Sequence, residues 1–269
     1  MSTVQAAGKT QLVRCMKNRK ITLILPAYNE ASRIESTVEQ ALAYFDGRGH
    51  QCEIIVAADG NDGTREIVRE IGSRRPGVIA IGNEYRGGKG RGIREAVALA
   101  KGEIVGFADA DNKVPIADYG KIERALAEGV DVAIGSRGLA DSQIEQRQSL
   151  HRQLGGQAFG IWLRSITGLR LRDTQCGFKF FPADVARDLF SRQKIDGYMF
   201  DAEILYIAHK LGYSIREVPV RWRDDGDSRL NLIGGNIRNF RDVLRIRNMH
   251  GHLSASSKAV PSGIQVANR

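Results

Sequence analysis

Four short apolar runs, each closed by a polar, glycine-bearing stretch, set the rhythm of the first half of the chain. Ile21-Thr-Leu-Ile-Leu25 stops at Pro26, and Glu53-Ile-Ile-Val-Ala57 runs into Asp59-Gly60-Asn61-Asp62-Gly63-Thr64. Val78-Ile-Ala-Ile81 leads to Arg86-Gly87-Gly88-Lys89-Gly90-Arg91-Gly92, and Glu103-Ile-Val-Gly-Phe-Ala ends in Asp109-Ala110-Asp111. Apolar runs of this length between turn residues predict buried strands. Between them the apolar positions change to helical spacing. Ile34, Val38 and Ala41 predict one helix, with Asn29 or Ser32 as its cap; another begins near Thr64, and a third covers Ile93 to Ala100. Strands alternating with helices predict right-handed crossovers and a mostly parallel, Rossmann-like α/β sheet flanked by helices. The four polar loops then share one edge, where open α/β sheets collect ligands.

The sharpest chemical signal sits on that edge. Alternation along an extended chain would turn Asp109 and Asp111 the same way, with Ala110 opposite. Two converging carboxylates repel unless a cation lies between them, and a divalent ion carrying a nucleotide diphosphate fits that need. A solvated turn would produce the same triplet. The glycine segment at 87–92 could cradle phosphate with Lys89 and Arg91, or simply lead into a helix; its spacing is not that of a P-loop. Asp59 and Asp62 could cap a turn and a helix, and the free amides opening the first helix would favour an anion.

The second half changes character. From Leu150 to Ile166, Leu154, Phe159, Trp162, Leu163 and Ile166 recur at roughly helical spacing beside Arg152 and Arg164, and Ile237 to Arg247 mixes apolar residues with arginines. Basic helices with an aromatic-bearing face can lie in a membrane interface, or can pack on the sheet. Trp222 between Arg221 and Arg223 fits an alternating strand with the indole inward. Residues 1–18 read as a disordered lead-in and 251–269 as a disordered tail, leaving 19–250 as one folded unit.

Composition narrows the class. A chain of 269 residues, 42% hydrophobic, supports one sizeable core. No stretch approaches about 18 consecutive apolar residues, and the N-terminus lacks the apolar block of a secretory signal. The expectation is a cytoplasmic protein able to sit peripherally on the inner face of a membrane. Three cysteines, Cys15, Cys52 and Cys176, are too scattered for a disulfide framework or a zinc site. A net charge of +9 favours an anionic partner: nucleotide, phosphorylated lipid, acidic membrane or nucleic acid. Against nucleic acid stand the absence of a recognition motif and the spread of Lys and Arg over the whole length.

Five ordered motifs carry a family resemblance: Ile24-Leu-Pro-Ala-Tyr-Asn-Glu30, Asp59-Gly60, Gly88-Lys-Gly90, Asp109-Ala-Asp111 and Gly135-Ser-Arg137. In this order they resemble the inverting GT-A glycosyltransferases of family 2. Arg172-Asp-Thr-Gln-Cys-Gly-Phe-Lys179, Phe200-Asp-Ala-Glu203, Val218-Pro-Val-Arg-Trp-Arg223 and Asp227-Ser-Arg-Leu230 resemble the dolichyl-phosphate glucosyltransferase branch. The resemblance implies a GT-A domain with C-terminal acceptor and interface helices, and transfer of a sugar, glucose from UDP-glucose above all, to a polyprenyl phosphate. It would divide the folded unit into a nucleotide-sugar-binding part at 19–137 and an acceptor-binding part at 138–250. It implies Pro26, Tyr28 and Glu30 against base and ribose, Asp59 near the base and Lys89 near the nucleotide. Asp109 and Asp111 would hold Mg²⁺ or Mn²⁺ and the sugar, and Arg137 would meet phosphate. Two departures stand out. Ala58 precedes Asp59 where the family often has a pair of acids, and Lys113 stands where some mannosyl-transferring relatives place a metal-binding Gln. A cation cannot ligate a metal, so coordination would fall to Asp111, phosphate and water.

An inverting transfer to a hydroxyl needs a general base. A phosphate monoester, with a second pKa of about 6, is already ionised at neutral pH and needs cations to position it instead. Arg137, Arg152 and Arg229 are the candidates for the acceptor phosphate, with Lys89 as a further clamp, since guanidinium forks match phosphate oxygens. Asp201 is the candidate base for a soluble or lipid hydroxyl acceptor. With a phosphate acceptor its role becomes orienting an arginine or capping a helix.

Overall fold

The four apolar runs all fold as strands: β1 (Lys20–Tyr28), β2 (Gln51–Asp59), β3 (Val78–Ile81) and β4 (Ile104–Ala108). The structure, a computed structural model, describes residues 18–145, 150–223 and 234–258, with the backbone alone at 150–154 and 234–237. Three helices separate these strands: α1 (Ile34–Gly47), α2 (Thr64–Arg74) and α3 (Lys89–Leu99). After β4 come α4 (Tyr119–Ala127), β5 (Val132–Ser136), the short β6 (Gln143–Ile144), α5 (Leu150–Thr167) and β7 (Phe178–Pro182). The chain continues through α6 (Ala183–Arg192), α7 (Phe200–Lys210), β8 (Ile215–Pro219), β9 (Arg221–Trp222) and α8 (Gly234–His250).

Seven strands form one sheet in the order β3-β2-β1-β4-β7-β5-β8. All neighbours run parallel except β7, which lies antiparallel to both β4 and β5. A strand from the second half of the sequence therefore sits inside the sheet, and residues 19–137 and 138–250 share one core. β6 and β9 pair in parallel as a separate ribbon.

Period-two alternation divides the apolar residues between two layers. Leu23, Leu25, Ile54 and Val56 face α1 and α2, where Val38, Phe45, Val68 and Ile71 meet them. Ile24, Ile55 and Phe107 face the other way, onto Ile93 and Val97 of α3 and onto α6 and α7. Both faces are thus covered, as a largely parallel sheet requires.

Two helix starts differ from expectation. α1 begins at Ile34 without a side-chain cap, because Asn29 adopts a positive φ of 55° and its side-chain oxygen instead accepts from the Asn61 amide. α3 begins at Lys89, four residues ahead of Ile93: Gly88, at φ 112°, turns the chain, and the Asp196 carbonyl accepts from the Gly90 and Arg91 amides. The packed chain also continues past the expected boundary at residue 250. Leu253 is buried, the Ser257 carbonyl accepts from Arg192 and the Lys258 ammonium lies 3.9 Å from the centre of the Tyr213 ring. The expected lead-in up to residue 17, and the tail from 259, lie outside the described residues.

The β4–β7 junction needs a glycine. Gly106 pairs with Phe180, and a Cβ at 106 would lie 2.0 Å from the Phe180 ring. Replacing Gly106 with Ala is expected to cost about 1–3 kcal/mol through overpacking, read as a lower urea midpoint with an unchanged slope.

Candidate functional site

Asp109 is the first residue beyond β4, and it is held from behind. Its amide donates to the Gly177 carbonyl at 3.0 Å, and a Cβ on Gly177 would come within 2.1 Å of Asp109 Oδ2. The chain then turns instead of continuing extended: the Asn112 amide donates to the Asp109 carbonyl at 3.1 Å, and Asn112 has a φ of 55°. Thr37 of α1 fixes this turn by donating to the Ala110 carbonyl at 2.9 Å. The alternation that would have aimed the two acids alike ends at the strand, so the turn places Asp111. Each acid meets its own lysine: Lys89 Nζ lies 2.7 Å from Asp109 Oδ1, and Lys113 Nζ lies 3.1 Å from Asp111 Oδ2.

Lys89 leads deeper. Its ammonium is 3.9 Å from Asp201 Oδ2, while Asp201 Oδ1 accepts from Lys179 Nζ at 2.5 Å. Lys179 is wholly buried in β7, and its ammonium also donates to the Cys176 carbonyl at 2.6 Å. The result is an alternating string, Lys179, Asp201, Lys89, Asp109, running from the core to the sheet edge. Burial disfavours the Lys89 ammonium, but Asp109 and then Asp201 overcome it and hold its pKa above the ordinary lysine value. Asp201 has one oxygen on each of two ammonium groups, so in this geometry it orients cations.

Most amides of the glycine segment already have internal partners, the Gly87 amide on Asp59 and the Gly92 amide on the Gly88 carbonyl. The Gly90 and Arg91 amides are taken by Asp196, and a Cβ on Gly88 or Gly90 would lie 2.3 Å from the Asp196 carbonyl or 2.5 Å from that of Ile195. These glycines let two backbones touch, and Lys89 is what the segment sends into the site. The touching segment is pinned by Glu203 of α7, whose oxygens accept from the Lys194 and Ile195 amides at 2.8 Å each and lie 2.7 Å from His250 Nε2 on α8. An internal carboxylate likewise serves an amide ahead of α1 and the first amide of α2: Asp62 accepts from Ala31 at 2.9 Å and from Thr64 at 3.1 Å.

Pro26 and Tyr28 lie on β1, where Tyr28 is in register with Asp59 of β2; Glu30 follows in the loop, paired with Arg33 at 2.9 Å. Asp59 organises the neighbouring loop, accepting from the Asn83 and Gly87 amides at 3.2 and 2.7 Å and from Arg91 at 3.0 Å. That loop sets the Arg86 guanidinium 4.4 Å from the Tyr28 ring centre, with Tyr198 accepting from Arg86 at 2.8 Å. Arg137 is locked by Asp173, which accepts from its Nε at 2.6 Å and Nη2 at 2.9 Å. Burial opposes the Arg137 charge, yet Asp173, with lesser help from Asp109, keeps it fixed as a cation. The guanidinium lies 5.5 Å from the centre of the buried Trp222 ring. Burial pushes the Cys176 thiol up to about 12, which makes it a packed thiol. The side chain of Arg152 and the whole of Arg229 lie outside the described residues.

Asp173, Lys179, Gly177 and Glu203 stood inside the quoted motifs without a role. Their signals were there: a lysine flanked by Phe178, Phe180 and Phe181 has no water to reach, and a buried lysine needs a carboxylate.

Asp109 and Asp111 could hold a divalent cation. Both offer hard carboxylate oxygens beside the lysines, and among the described residues no third His, Cys, Asp or Glu joins them. This donor set suits an ion that arrives with a diphosphate and completes its shell with phosphate and water, as Mg²⁺ commonly does.

The chain matches the model of the family described as Glycosyl transferase family 2 over residues 22–190. It is 32% identical over 245 residues to the dolichyl-phosphate beta-glucosyltransferase of Drosophila melanogaster, covering 84% of this chain and 74% of that protein. The enzyme of the same name from Mus musculus is 32% identical over 247 residues, covering 85% and 75%. Among solved structures, glucosyl-3-phosphoglycerate synthase from Mycobacterium tuberculosis, in complex with Mn²⁺ and UDP-glucose, superposes with a TM-score of 0.64 at 19% identity, covering 90% of this chain and 83% of that one. Mannosyl-3-phosphoglycerate synthase from Rubrobacter xylanophilus gives 0.65 at 16%, covering 97% and 89%. These two share the GT-A architecture of the present sheet.

The ion string makes a stability prediction. Lys179→Met leaves Asp201 without its buried partner and is expected to cost about 3–5 kcal/mol in chemical denaturation; Lys179→Met with Asp201→Asn should cost less than the two single changes added together.

Proposed function

The chain belongs to glycosyl transferase family 2, and from that premise we propose that it transfers glucose, with inversion, from UDP-glucose to a polyprenyl phosphate of the dolichyl type. The observation that carries the reading is the identity with dolichyl-phosphate beta-glucosyltransferases over 84–85% of this chain, which reaches well beyond the donor half. The chain is a glycosyltransferase, and nucleic-acid binding loses its support as the use of the positive charge.

In this reading Tyr28 and Glu30 border the nucleoside, with Pro26 closing the strand behind them. Asp59 supports the site indirectly, by building the loop that carries Arg86. Asp109 and Asp111 hold Mg²⁺ or Mn²⁺, which when bound neutralises charge on the departing diphosphate. Lys89 places a further cation beside Asp109. Arg137, fixed by Asp173, keeps the rest of its guanidinium fork for a phosphate oxygen. Arg152 and Arg229 remain the additional candidates for the acceptor phosphate. A phosphate acceptor arrives ionised, so no side chain has to remove a proton at the attacking oxygen. Asp201 is then a positioning group, in agreement with its two ammonium partners, and the alternative with a hydroxyl acceptor and Asp201 as base is the weaker reading.

The second half supplies a surface for the lipid. Phe159 and Trp162 of α5 gather on Phe240 of α8, with ring centres 5.2 and 4.5 Å from that of Phe240. Leu163, Val243 and Ile246 on the same helices are buried, so the pair packs on the sheet as well. Ile161, Phe240 and Leu244 stay exposed beside Arg241 and Arg245. Among the described residues no helix is long and apolar enough to cross a membrane, and interfacial contact through this face suits a lipid acceptor.

Three experiments test the reading. In a matrix of nucleotide sugars against short polyprenyl phosphates, run with Mn²⁺, Mg²⁺ or chelator, UDP-glucose with the lipid phosphate should give product only with metal. Asp109→Asn and Asp111→Asn should each lower kcat/KM by about 100-fold or more, the scale of losing a transition-state electrostatic partner. Activity on hydroxyl acceptors alone would overturn the phosphate-acceptor assignment; Asp201→Asn, compared at equal folded fraction, should cost less than the roughly 100-fold minimum of a general base. Separately, Phe240→Glu with Leu244→Glu should reduce cosedimentation with vesicles containing anionic phospholipid while leaving the thermal melt unchanged.

A further inference from the structure

Lys89 lies where a cation on Asp109 would also have to lie. Its ammonium is 2.7 Å from Asp109 Oδ1, and the whole carboxylate lies against Gly177, where an added Cβ would fall 2.1 Å from Oδ2 and 2.5 Å from Oδ1. A divalent cation ligated through the same oxygen at about 2.1 Å would lie within about 5 Å of that ammonium, with no room for water to screen the pair. The two positive charges therefore compete for one carboxylate. Lys89 has a second place to go: Asp201 Oδ2 is 3.9 Å from its Nζ, so a small swing exchanges one carboxylate for another. Asp201 is itself held by Lys179 and stays where it is.

A diphosphate changes the balance. It offers Lys89 anionic oxygens on the open side of the site, and it offers the cation the ligands that Asp109 and Asp111 alone do not complete. Lys113 differs from Lys89, because among the described residues its only carboxylate partner is Asp111. Its ammonium weakens cation binding without a second carboxylate to move to.

We propose that Lys89 couples cation and donor: its ammonium and a divalent cation exclude each other at Asp109, and a nucleoside diphosphate, by drawing Lys89 towards its phosphates and Asp201, releases Asp109 to the cation. The two ligands then bind cooperatively, and linkage requires each to raise the affinity of the other by the same factor. This rests on the donor-site reading given above and adds to it the side chain that makes the binding conditional. Glycosyl transfer then starts only from a site holding both, and a cation in the medium does not occupy the acids alone.

The test is Mn²⁺ binding, followed by loss of the free-ion electron paramagnetic resonance signal, with and without UDP and with the Mn²⁺–UDP complex in solution subtracted. In the unaltered protein UDP should tighten Mn²⁺ binding by about tenfold or more. Lys89→Met should bind Mn²⁺ alone about tenfold more tightly than the unaltered protein, with UDP adding less than about threefold, and Lys89→Arg should keep the original pattern. Unchanged or weaker Mn²⁺ binding in Lys89→Met, or full tightening by UDP in that variant, overturns the proposal. Equal affinities with and without UDP in the unaltered protein overturn it without any variant. Asp109→Asn separates the levels: if it still binds Mn²⁺ undiminished, the donor-site assignment fails too, whereas weakened binding there beside an unchanged Lys89→Met overturns the coupling alone.

Discussion

A lysine buried in the middle of a sheet is the constraint on which the site depends. Lys179 has no exposed surface, and an isolated ammonium in that place would be prohibitively costly. Asp201 answers it from the first turn of α7, and the excess negative edge of Asp201 is answered in turn by Lys89. Lys89 closes on Asp109. Each charge is tolerable only because the next is present, so the string fixes β7, α7, α3 and the end of β4 relative to one another. A core that settled for apolar residues at 179 and 201 would pack as well, but it would leave the Lys89 side chain without a direction.

The topology explains why such a string is possible. β7 enters antiparallel between β4 and β5, so Lys179 stands in register opposite Phe107, two residues before Asp109. The same insertion brings Gly177 against Asp109 and puts Asp173 within reach of Arg137. One strand therefore delivers support to both sides of the site. The glycines at 88 and 90 do related work, because they let the 193–197 segment lie directly on the start of α3, and Glu203 with His250 secures that segment from the C-terminal helix. Parts of the chain far apart in sequence thus fix the direction of one lysine.

The sequence pattern made the donor half legible because there each signal is local. Apolar runs closed by Pro26, Asp59 and Asp109 mark strand ends, and a parallel sheet gathers such ends on one edge. What stayed hidden required pairing across long separations. The glycine segment looks like a phosphate loop until Asp59 is seen to take the Gly87 amide and Asp196 those of Gly90 and Arg91. Asp59, expected near the base, also organises its own loop by accepting from Asn83, Gly87 and Arg91. Asp109 and Asp111 looked parallel by alternation, whereas a left-handed Asn112 ends the strand geometry between them and the rest of the loop. In each case a side chain or amide expected to face a ligand already has an internal partner.

That pattern bears on the proposed acceptor. A general base must be free to take a proton and must have an unprotonated oxygen aimed at the nucleophile. Asp201 satisfies neither condition: one oxygen is held by a buried ammonium at 2.5 Å and the other faces Lys89. A nucleophile that arrives as an anion removes the requirement. What such an acceptor needs is fixed positive charge, and the chain provides it in Arg137, whose fork is braced by Asp173 and whose face lies near Trp222. An Asp201 held by two ammonium groups and an Arg137 braced by Asp173 are both consistent with the proposed phosphate acceptor.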